Sequence, residues 1–217
     1  MPDPGAIAFL ETRLTLYYLL QRAYAAPCDP DLSADLSEAA IVYGSLLDWP
    51  SREIAPVEPD RDGPEYHRLF VGPGRVVASP YESVYTSPDG LLMRDATLFV
   101  KAFYLEFGLA ETADHSEPED HLATELEFYA FLQAKLLTAL RDGQNADAVR
   151  WYEAQERFWR EHLSNWVSPF AQRVLDDTCS PFYRSLAALT KVTVHAEKQV
   201  LQALTAILPA KEEPVHA

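Results

Sequence analysis

The sequence predicts an all-α protein. Apolar residues recur every three or four positions over most of the chain, which is the period of a helix with one buried face. The alternation of apolar and polar residues that indicates half-buried strands is not found, and several apolar runs follow helix start signals. With 217 residues, of which 48% are hydrophobic, the chain can fold as one sizeable domain.

The N-terminal half is predicted to begin with two long helices. The first covers residues 6–26 and ends before Pro27, and the second begins at Pro30 and runs to about Leu47. The other predicted elements of this half are a surface loop over 49–64, rich in prolines and acids, a short helix over 65–71, an ordered aromatic loop over 69–85, and a helix over 91–107 that ends at Gly108.

The C-terminal half is predicted to be almost wholly helical. Ser116 and Glu119 form a capping box, with Pro118 in the first turn, and they predict a helix from Ser116 to about Leu140. The later predicted helices are one that begins at Asn145, a short one over 169–176, and one that begins at Ser180-Pro181 and runs to about 208, ahead of a frayed tail.

The charge and the cysteines exclude several classes of protein. The formal net charge is −15, which argues against binding a nucleic-acid backbone and suits a cationic partner. Cys28 and Cys179 lie far apart, so a disulfide scaffold or a zinc ribbon is excluded. The start of the chain is acidic, and no uninterrupted run of about 18 apolar residues occurs, so we expect a cytoplasmic protein without a membrane span.

Asp120 and His121 are not needed to form the helix that follows them. The positive end of the helix dipole favours the ionised Asp120 and disfavours a protonated His121. The pair therefore indicates a carboxylate beside a neutral imidazole, at the mouth of a loop. Simple capping chemistry would produce the same pattern.

A metal-dependent enzyme is the sharpest catalytic alternative. His121 and Glu125 lie one helical turn apart, with His115, Glu117 and Asp120 nearby. However, the HExxH motif is missing, and the Glu-x-x-His pairs of di-iron bundles do not occur twice. Phosphate-binding loops and a GxSxG elbow are also missing. We therefore predict no catalytic residue, cofactor or metal.

The aromatic loop and the Asp120–His121 pair together favour a peptide-binding site. Such sites have apolar walls and a few fixed polar groups. An ion pair gives about 1 kcal/mol in water and about 4 kcal/mol at an effective dielectric near 20. Asp120 could therefore select a basic residue only if Phe70, Tyr81 or Tyr85 partly desolvates it. A ligand with basic residues followed by an apolar run fits this site, and export signal peptides have that composition.

Three stretches make the sequence resemble the TorD/DmsD-type redox-enzyme maturation chaperones. The first is YHRLFVGPG, from Tyr66, followed after a spacer by PYESVY, from Pro80. The second is the E-P-x-D-H motif at 117–121. The third is HLSNWVSPF, followed by PFYRSLAAL from Pro181. Order and spacing agree along nearly the whole chain.

The resemblance implies a TorD-like fold, with an N-terminal lobe of about 1–108 and a C-terminal lobe of about 118–208 joined at a hinge near 108–118. It also implies a cytoplasmic, non-catalytic chaperone that binds the twin-arginine signal peptide and the catalytic subunit of a molybdenum-cofactor (molybdopterin) oxidoreductase. Such a chaperone assists cofactor insertion and delays export until the subunit is mature. Some members of the family form homodimers by exchanging helices at the hinge.

The resemblance also assigns site residues by matching position. Asp120 would face a basic residue of the peptide, and His121 would orient that carboxylate or donate to a peptide carbonyl. Core packing is the alternative for the aromatic residues, and a general protein-interaction scaffold is a further alternative for the whole protein. The assigned groove consists of Leu69, Phe70, Pro80, Tyr81, Glu82, Ser83 and Tyr85, with Glu117, Pro118, Asp120 and His121 as its polar corner.

Overall fold

The computed structural model describes residues 3–27, 30–46, 53–74, 76–93, 95–109 and 118–208, and within these ranges the predicted all-α class is confirmed. The helices are α1 (Pro4–Ala25), α2 (Pro30–Leu46), α3 (Pro59–Tyr66), α4 (Ser83–Thr86), α5 (Asp95–Glu106), α6 (Leu122–Arg141), α7 (Asn145–Phe158), α8 (Ser164–Asp177) and α9 (Pro181–Leu204). Two π-helical turns, His67–Val71 and Trp159–Leu163, follow α3 and α7.

The last long helix begins at Ser180-Pro181 as predicted but ends at Leu204, and the first begins at Pro4, two residues before its predicted start; a side chain caps the start of each. In α1 the Asp3 carboxylate accepts a hydrogen bond from the backbone N–H of Ala6 at 3.2 Å. In α9 the Ser180 hydroxyl accepts one from the backbone N–H of Tyr183 at 3.1 Å. Each cap precedes a proline at the start of the helix, where a missing N–H costs no hydrogen bond.

The prediction of a surface loop over 49–64 is wrong for its last residues, because α3 begins at Pro59. The backbone N–H of Glu58 donates to the Asp62 carboxylate at 2.7 Å, which closes the first turn. Acids and a proline therefore begin this helix instead of excluding it. The helix predicted over 91–107 is shorter than expected and begins at Asp95.

The prediction of a separate short helix over 169–176 is also wrong. From Asn145 to Asp177 the chain is one helical rod, in which the turn Trp159–Leu163 joins α7 to α8. Pro169 lies inside α8, where it removes one backbone hydrogen bond. Trp166 and Phe170 are fully buried on either side of it, and we attribute the continuity of the rod to their burial.

One large hydrophobic cluster extends from α1 to α9 and includes the aromatic loop. Its fully buried members come from both predicted lobes, so the division at 108–118 stays a prediction. No helix in the described ranges is long and apolar enough to span a membrane. Among the large side chains with no exposed surface are Tyr17, Leu36, Leu69, Val100, Leu126, Phe158, Trp166 and Phe182.

A buried ion pair joins α1 to α9 inside this core. Arg13 contacts Glu197, and both side chains have no exposed surface. Arg13 also donates to the amide oxygen of Gln155 at 2.9 Å, and the hydroxyls of Tyr17 and Tyr129 each donate to Glu197 at 2.8 Å. Burial lowers the pKa of Arg13, but the charge of Glu197 together with the nearby Tyr129 and Tyr43 and the hydrogen bond to Glu197 outweighs burial, so the pKa of Arg13 is raised and its guanidinium stays charged.

Candidate functional site

The two motifs of the predicted site meet in one antiparallel bridge between Tyr81 and His121. The backbone N–H of Leu122 donates to the carbonyl of Pro80 at 2.8 Å, and that of Glu82 donates to the carbonyl of Asp120 at 3.0 Å. The aromatic loop is therefore fixed to the start of α6, although about 40 residues separate the two motifs along the chain.

His121 is the N-cap of α6, so the predicted helix start at Ser116 is wrong for residues 118–121, and Ser116 itself lies outside the described residues. The Nδ1 atom of His121 accepts a hydrogen bond from the backbone N–H of Ala123 at 3.1 Å. This nitrogen must lack a proton to accept, which agrees with the neutral imidazole expected there. The ring of Tyr81 meets the imidazole edge-on, with centroids 5.0 Å apart.

Asp120 does not face solvent in this structure. Its side chain has no exposed surface, and its two carboxylate oxygens accept hydrogen bonds from the backbone N–H of Ser83 and the hydroxyl of Thr97, both at 2.9 Å. The expectation that Asp120 faces a basic residue of a peptide is therefore wrong for this conformation. Its carboxylate instead joins the aromatic loop, α5 and the motif at 117–121.

The neighbouring Glu119 ties the same turn to α5. The hydroxyl of Tyr104 donates to the carbonyl of Glu119 at 3.1 Å, and the Lys101 ammonium pairs with the Glu119 carboxylate. Together with Thr97, these side chains lie at i, i+4 and i+7 along α5 and form one stripe. The turn at 118–121 is consequently held by α5 along much of the length of that helix.

A buried acidic group lies behind the bridge. Glu82 accepts a hydrogen bond from Nδ1 of His162 at 2.9 Å, and Glu125, which has no exposed surface, accepts one from the indole N–H of Trp166 at 3.0 Å. Burial raises the pKa of Glu125 well above its ordinary value, and the nearby charges of Glu82 and then Asp120 raise it further. The folded protein therefore favours the protonated form of Glu125.

Sequence reasoning missed this group. Glu125 entered only as a metal-ligand alternative, and no role was assigned to His162. In the structure both are almost wholly buried and each is bonded to a partner far away in the chain. The signal available was the presence of ionisable residues on otherwise apolar helix faces, which does not by itself identify their partners.

Two residues assigned to the groove are core residues in this structure. Leu69 has no exposed surface, and the ring of Phe70, which is 5% exposed, packs against Tyr66, Phe170 and Tyr183 with centroids 5.3–5.9 Å apart. The expectation that Phe70 forms a wall of an open groove is wrong for this conformation. Core packing, the alternative set against it, is what the structure shows.

The partly exposed members of the predicted groove are Tyr81, Tyr85 and Pro118. Tyr85 packs on Trp166, and the guanidinium of Arg173 lies 4.5 Å from the centre of its ring. Burial raises the pKa of Tyr85 to about 12. Pro80, Glu82 and Ser83 are buried, and Glu117 lies outside the described residues.

The described part of the chain contains no group of three or more His, Cys, Asp or Glu side chains that could hold a metal ion. Nδ1 of His121 caps α6, and one carboxyl oxygen of Glu125 is bonded to Trp166. The two residues on which the metal alternative rested thus have other roles in the structure.

Comparison with known proteins identifies a matching family and several relatives of this chain. Residues 29–172 match the model of a family described as nitrate reductase delta subunit. The Tat proofreading chaperone DmsD of Salmonella typhimurium is 29% identical over 130 residues, which cover 59% of this chain and 56% of that protein. The chaperone protein TorD of Vibrio cholerae is 31% identical over 136 residues, which cover 63% of this chain and 60% of that protein.

The chaperone protein TorD of Shewanella loihica is 30% identical over 144 residues, which cover 64% of this chain and 62% of that protein. The alignments thus span a little over half the length of these relatives. A crystal structure named as a redox enzyme maturation protein from Archaeoglobus fulgidus has the same fold, with a TM-score of 0.50 at 22% identity over 85% of this chain and 93% of that chain. With the family model matching most of its length, this chain belongs to the nitrate reductase delta subunit family, and its predicted resemblance to the TorD/DmsD-type redox-enzyme maturation chaperones is confirmed.

Proposed function

We propose that this protein is a cytoplasmic maturation chaperone that binds the twin-arginine signal peptide of a molybdenum-cofactor oxidoreductase subunit. It holds the apo-subunit while the cofactor is inserted and delays export until then. The observation that carries the proposal is the Tyr81–His121 bridge, which joins the two motifs of the family resemblance in one fixed corner where the ring of Tyr81 is partly exposed. The names of the relatives, Tat proofreading chaperone and chaperone protein, support the same class of function.

The geometry supports two different roles for the residues of this corner, one in positioning the loop and one in contacting the peptide. Asp120 positions the loop through Ser83 and Thr97, and the partly exposed ring of Tyr81 meets the peptide. A guanidinium stacked on a tyrosine ring gains about 0.5–1 kcal/mol at an exposed site and about 2 kcal/mol when desolvated. The negative charge of the whole chain adds a long-range attraction for the basic end of the peptide.

The proposed role is binding and does not include catalysis. Apolar burial at about 25 cal/mol per Å² supplies more affinity than a single cation contact. A leader with two arginines and an apolar run therefore binds through both parts. A peptide that carries only the arginine pair is not retained.

The test is the binding of a fluorescein-labelled synthetic leader that carries two adjacent arginines and an apolar run of about 12 residues. We expect wild-type protein to bind it, and Tyr81→Ala to weaken binding by about tenfold, which is a loss of about 1.4 kcal/mol. His121→Asn is the matched variant, because asparagine also caps helices well. It keeps the start of α6 and removes only the imidazole beside Tyr81.

Three results would contradict the proposal. Wild-type protein that binds no such leader contradicts it directly. Equal affinity for a leader with both arginines replaced by glutamine shows that the basic residues are not recognised. A stable complex with a client protein from which the leader has been removed would indicate the scaffold alternative.

A further inference from the structure

The outer side of α5 carries an apolar surface that no other described element covers. Leu98, Phe99 and Leu105 are 64%, 65% and 56% exposed, and the small Ala102 between them is exposed as well. We call these four residues the α5 face. Leu91, Leu92 and Met93, shortly before the helix, are also 46–71% exposed.

The α5 face is a continuous helical stripe, since its members lie at i, i+1, i+4 and i+7. Single exposed apolar residues are ordinary on soluble proteins, whereas contiguous apolar patches indicate a binding surface. Val100 and Phe103 on the same helix are buried in the core, so α5 is apolar on both sides. A helix of this kind inside one domain has one face without a partner.

The α5 face adjoins the Tyr81–His121 corner. Thr97, Lys101 and Tyr104, which hold the turn at 118–121, each precede a member of the α5 face by one residue. Successive residues of a helix are separated by about 100° around its axis, so the two stripes lie side by side. A ligand that touches Tyr81 can therefore continue along α5.

We propose that the α5 face binds the apolar run of the same leader, packed against α5 as a helix. The inference rests on the proposed function and adds where the second part of the peptide lies. α5 has 12 residues and is about 18 Å long, and an apolar run of about 7–15 residues forms a helix of about 10–22 Å. Ala102 leaves a notch between larger side chains in which an apolar side chain of the partner helix fits.

The charge of the chain favours this occupant over a second copy of the protein. Two copies each carry a formal charge of −15 and repel each other, whereas a basic leader is attracted. Of the exposed acids at the two ends of α5, Glu106 is paired with Arg157, whereas Asp95 lies in the first turn of the helix. A leader whose basic residues precede its apolar run meets an acid when it enters at the N-terminal end of α5.

The experiment compares two double variants in binding the labelled synthetic leader described above. Leu98→Gln with Phe99→Gln changes the α5 face, and Ile41→Gln with Val42→Gln is the matched control, since both control residues are 42% exposed on α2. All four positions are at the surface, and circular dichroism verifies that both variants fold. We expect the α5 variant to bind about tenfold or more weakly and the control within about twofold of wild type.

Equal affinity of the two double variants overturns this inference and leaves the proposed function standing, whereas no binding by wild-type protein overturns both. A leader with a photoreactive residue in its apolar run gives a second readout, because it should crosslink to peptides from 95–109. Crosslinks confined to other helices count against the inference. If light scattering shows that the α5 variant turns a dimer into a monomer without changing leader binding, a second copy covers the face and the inference is wrong.

Discussion

Replacing Glu125 by glutamine should stabilise the protein, and by more as the pH rises. The wild-type carboxyl has no exposed surface and lies near the charges of Glu82 and Asp120, so its pKa in the folded protein is raised well above 4.5. One of its oxygens accepts from Trp166, while the other, Oε1, receives no hydrogen bond from the described residues. A protonated Glu125 can donate from this oxygen to Glu82, and that hydrogen bond raises the pKa of Glu125 further.

The sign of this stability change follows from the pH at which the unfolded and the folded protein each lose the proton of Glu125. Above about pH 4.5 the unfolded chain releases the proton of Glu125, while the folded protein keeps it until its own, higher pKa is reached. Within that window the group costs up to about 1.4 kcal/mol of folding stability for every pH unit. Glutamine has the shape and the donor of a protonated glutamate and no titration, so it removes this cost.

The assay is urea unfolding of both proteins at several pH values, followed by far-UV circular dichroism. The stability difference between Glu125→Gln and wild type should grow as the pH rises above about 4.5, by up to about 1.4 kcal/mol for every pH unit, until the pKa of Glu125 in the folded protein is reached. A difference that stays constant from about pH 4.5 upwards would refute the reasoning, because it would mean that Glu125 titrates alike in both states.

Glu197 provides the control, since it is equally buried but faces the charged Arg13. Glu197→Gln leaves the guanidinium without its counter-charge, and should lower the free energy of unfolding by about 3–5 kcal/mol. If this variant is more stable than wild type, the contrast drawn between Glu125, which lies near other acids, and Glu197, which faces Arg13, is wrong.

Three smaller changes test other contacts. Thr97→Val removes one of the two hydrogen bonds to the buried Asp120. We expect the free energy of unfolding in urea to fall by about 1.5–3 kcal/mol and leader binding to weaken. Unchanged stability would contradict the positioning role of Asp120. Ser180→Ala removes the cap of α9 and should lower stability by about 1 kcal/mol, and a melting temperature equal to that of wild type would argue against the cap. Lys101→Ala breaks the partly exposed pair with Glu119 and should cost less than about 1 kcal/mol, with a larger loss indicating that the pair is better shielded than its exposure suggests.

The long helices could be predicted from the sequence because their signals are local. The start of α9 depends on a serine, a proline and an apolar period within a few residues. The start of α3 was missed because Pro59 and its acids are as common in loops as in first turns, and only the contact between Glu58 and Asp62 decides between them. Pro169 was misjudged since the burial of the residues around it cannot be seen in a local pattern.

The site was predicted less well than the fold. The family motifs, matched by position, identified the aromatic loop and the stretch at 117–121, and the Tyr81–His121 bridge joins these two stretches in the structure. However, a motif does not say whether a carboxylate faces a ligand or its own backbone. The partners of Asp120 are a hydroxyl 23 positions away on α5 and a backbone N–H 37 positions away, and neither has a sequence signature.

One buried contact depends on the π-helical pitch of the turn Trp159–Leu163. A π-helical turn holds about one residue more than an α-helical turn, so the part of the rod after it is out of phase with the part before it by about 100°. Phe158 and Trp166, on either side of the turn, both point into the core. If the same residues formed a regular α-helix, Phe158 and Trp166, which are eight residues apart, would lie about 80° apart around the axis, and one of the two rings would turn towards solvent. The hydrogen bond from Trp166 to Glu125 thus depends on the wider turn that precedes it as much as on the tryptophan itself.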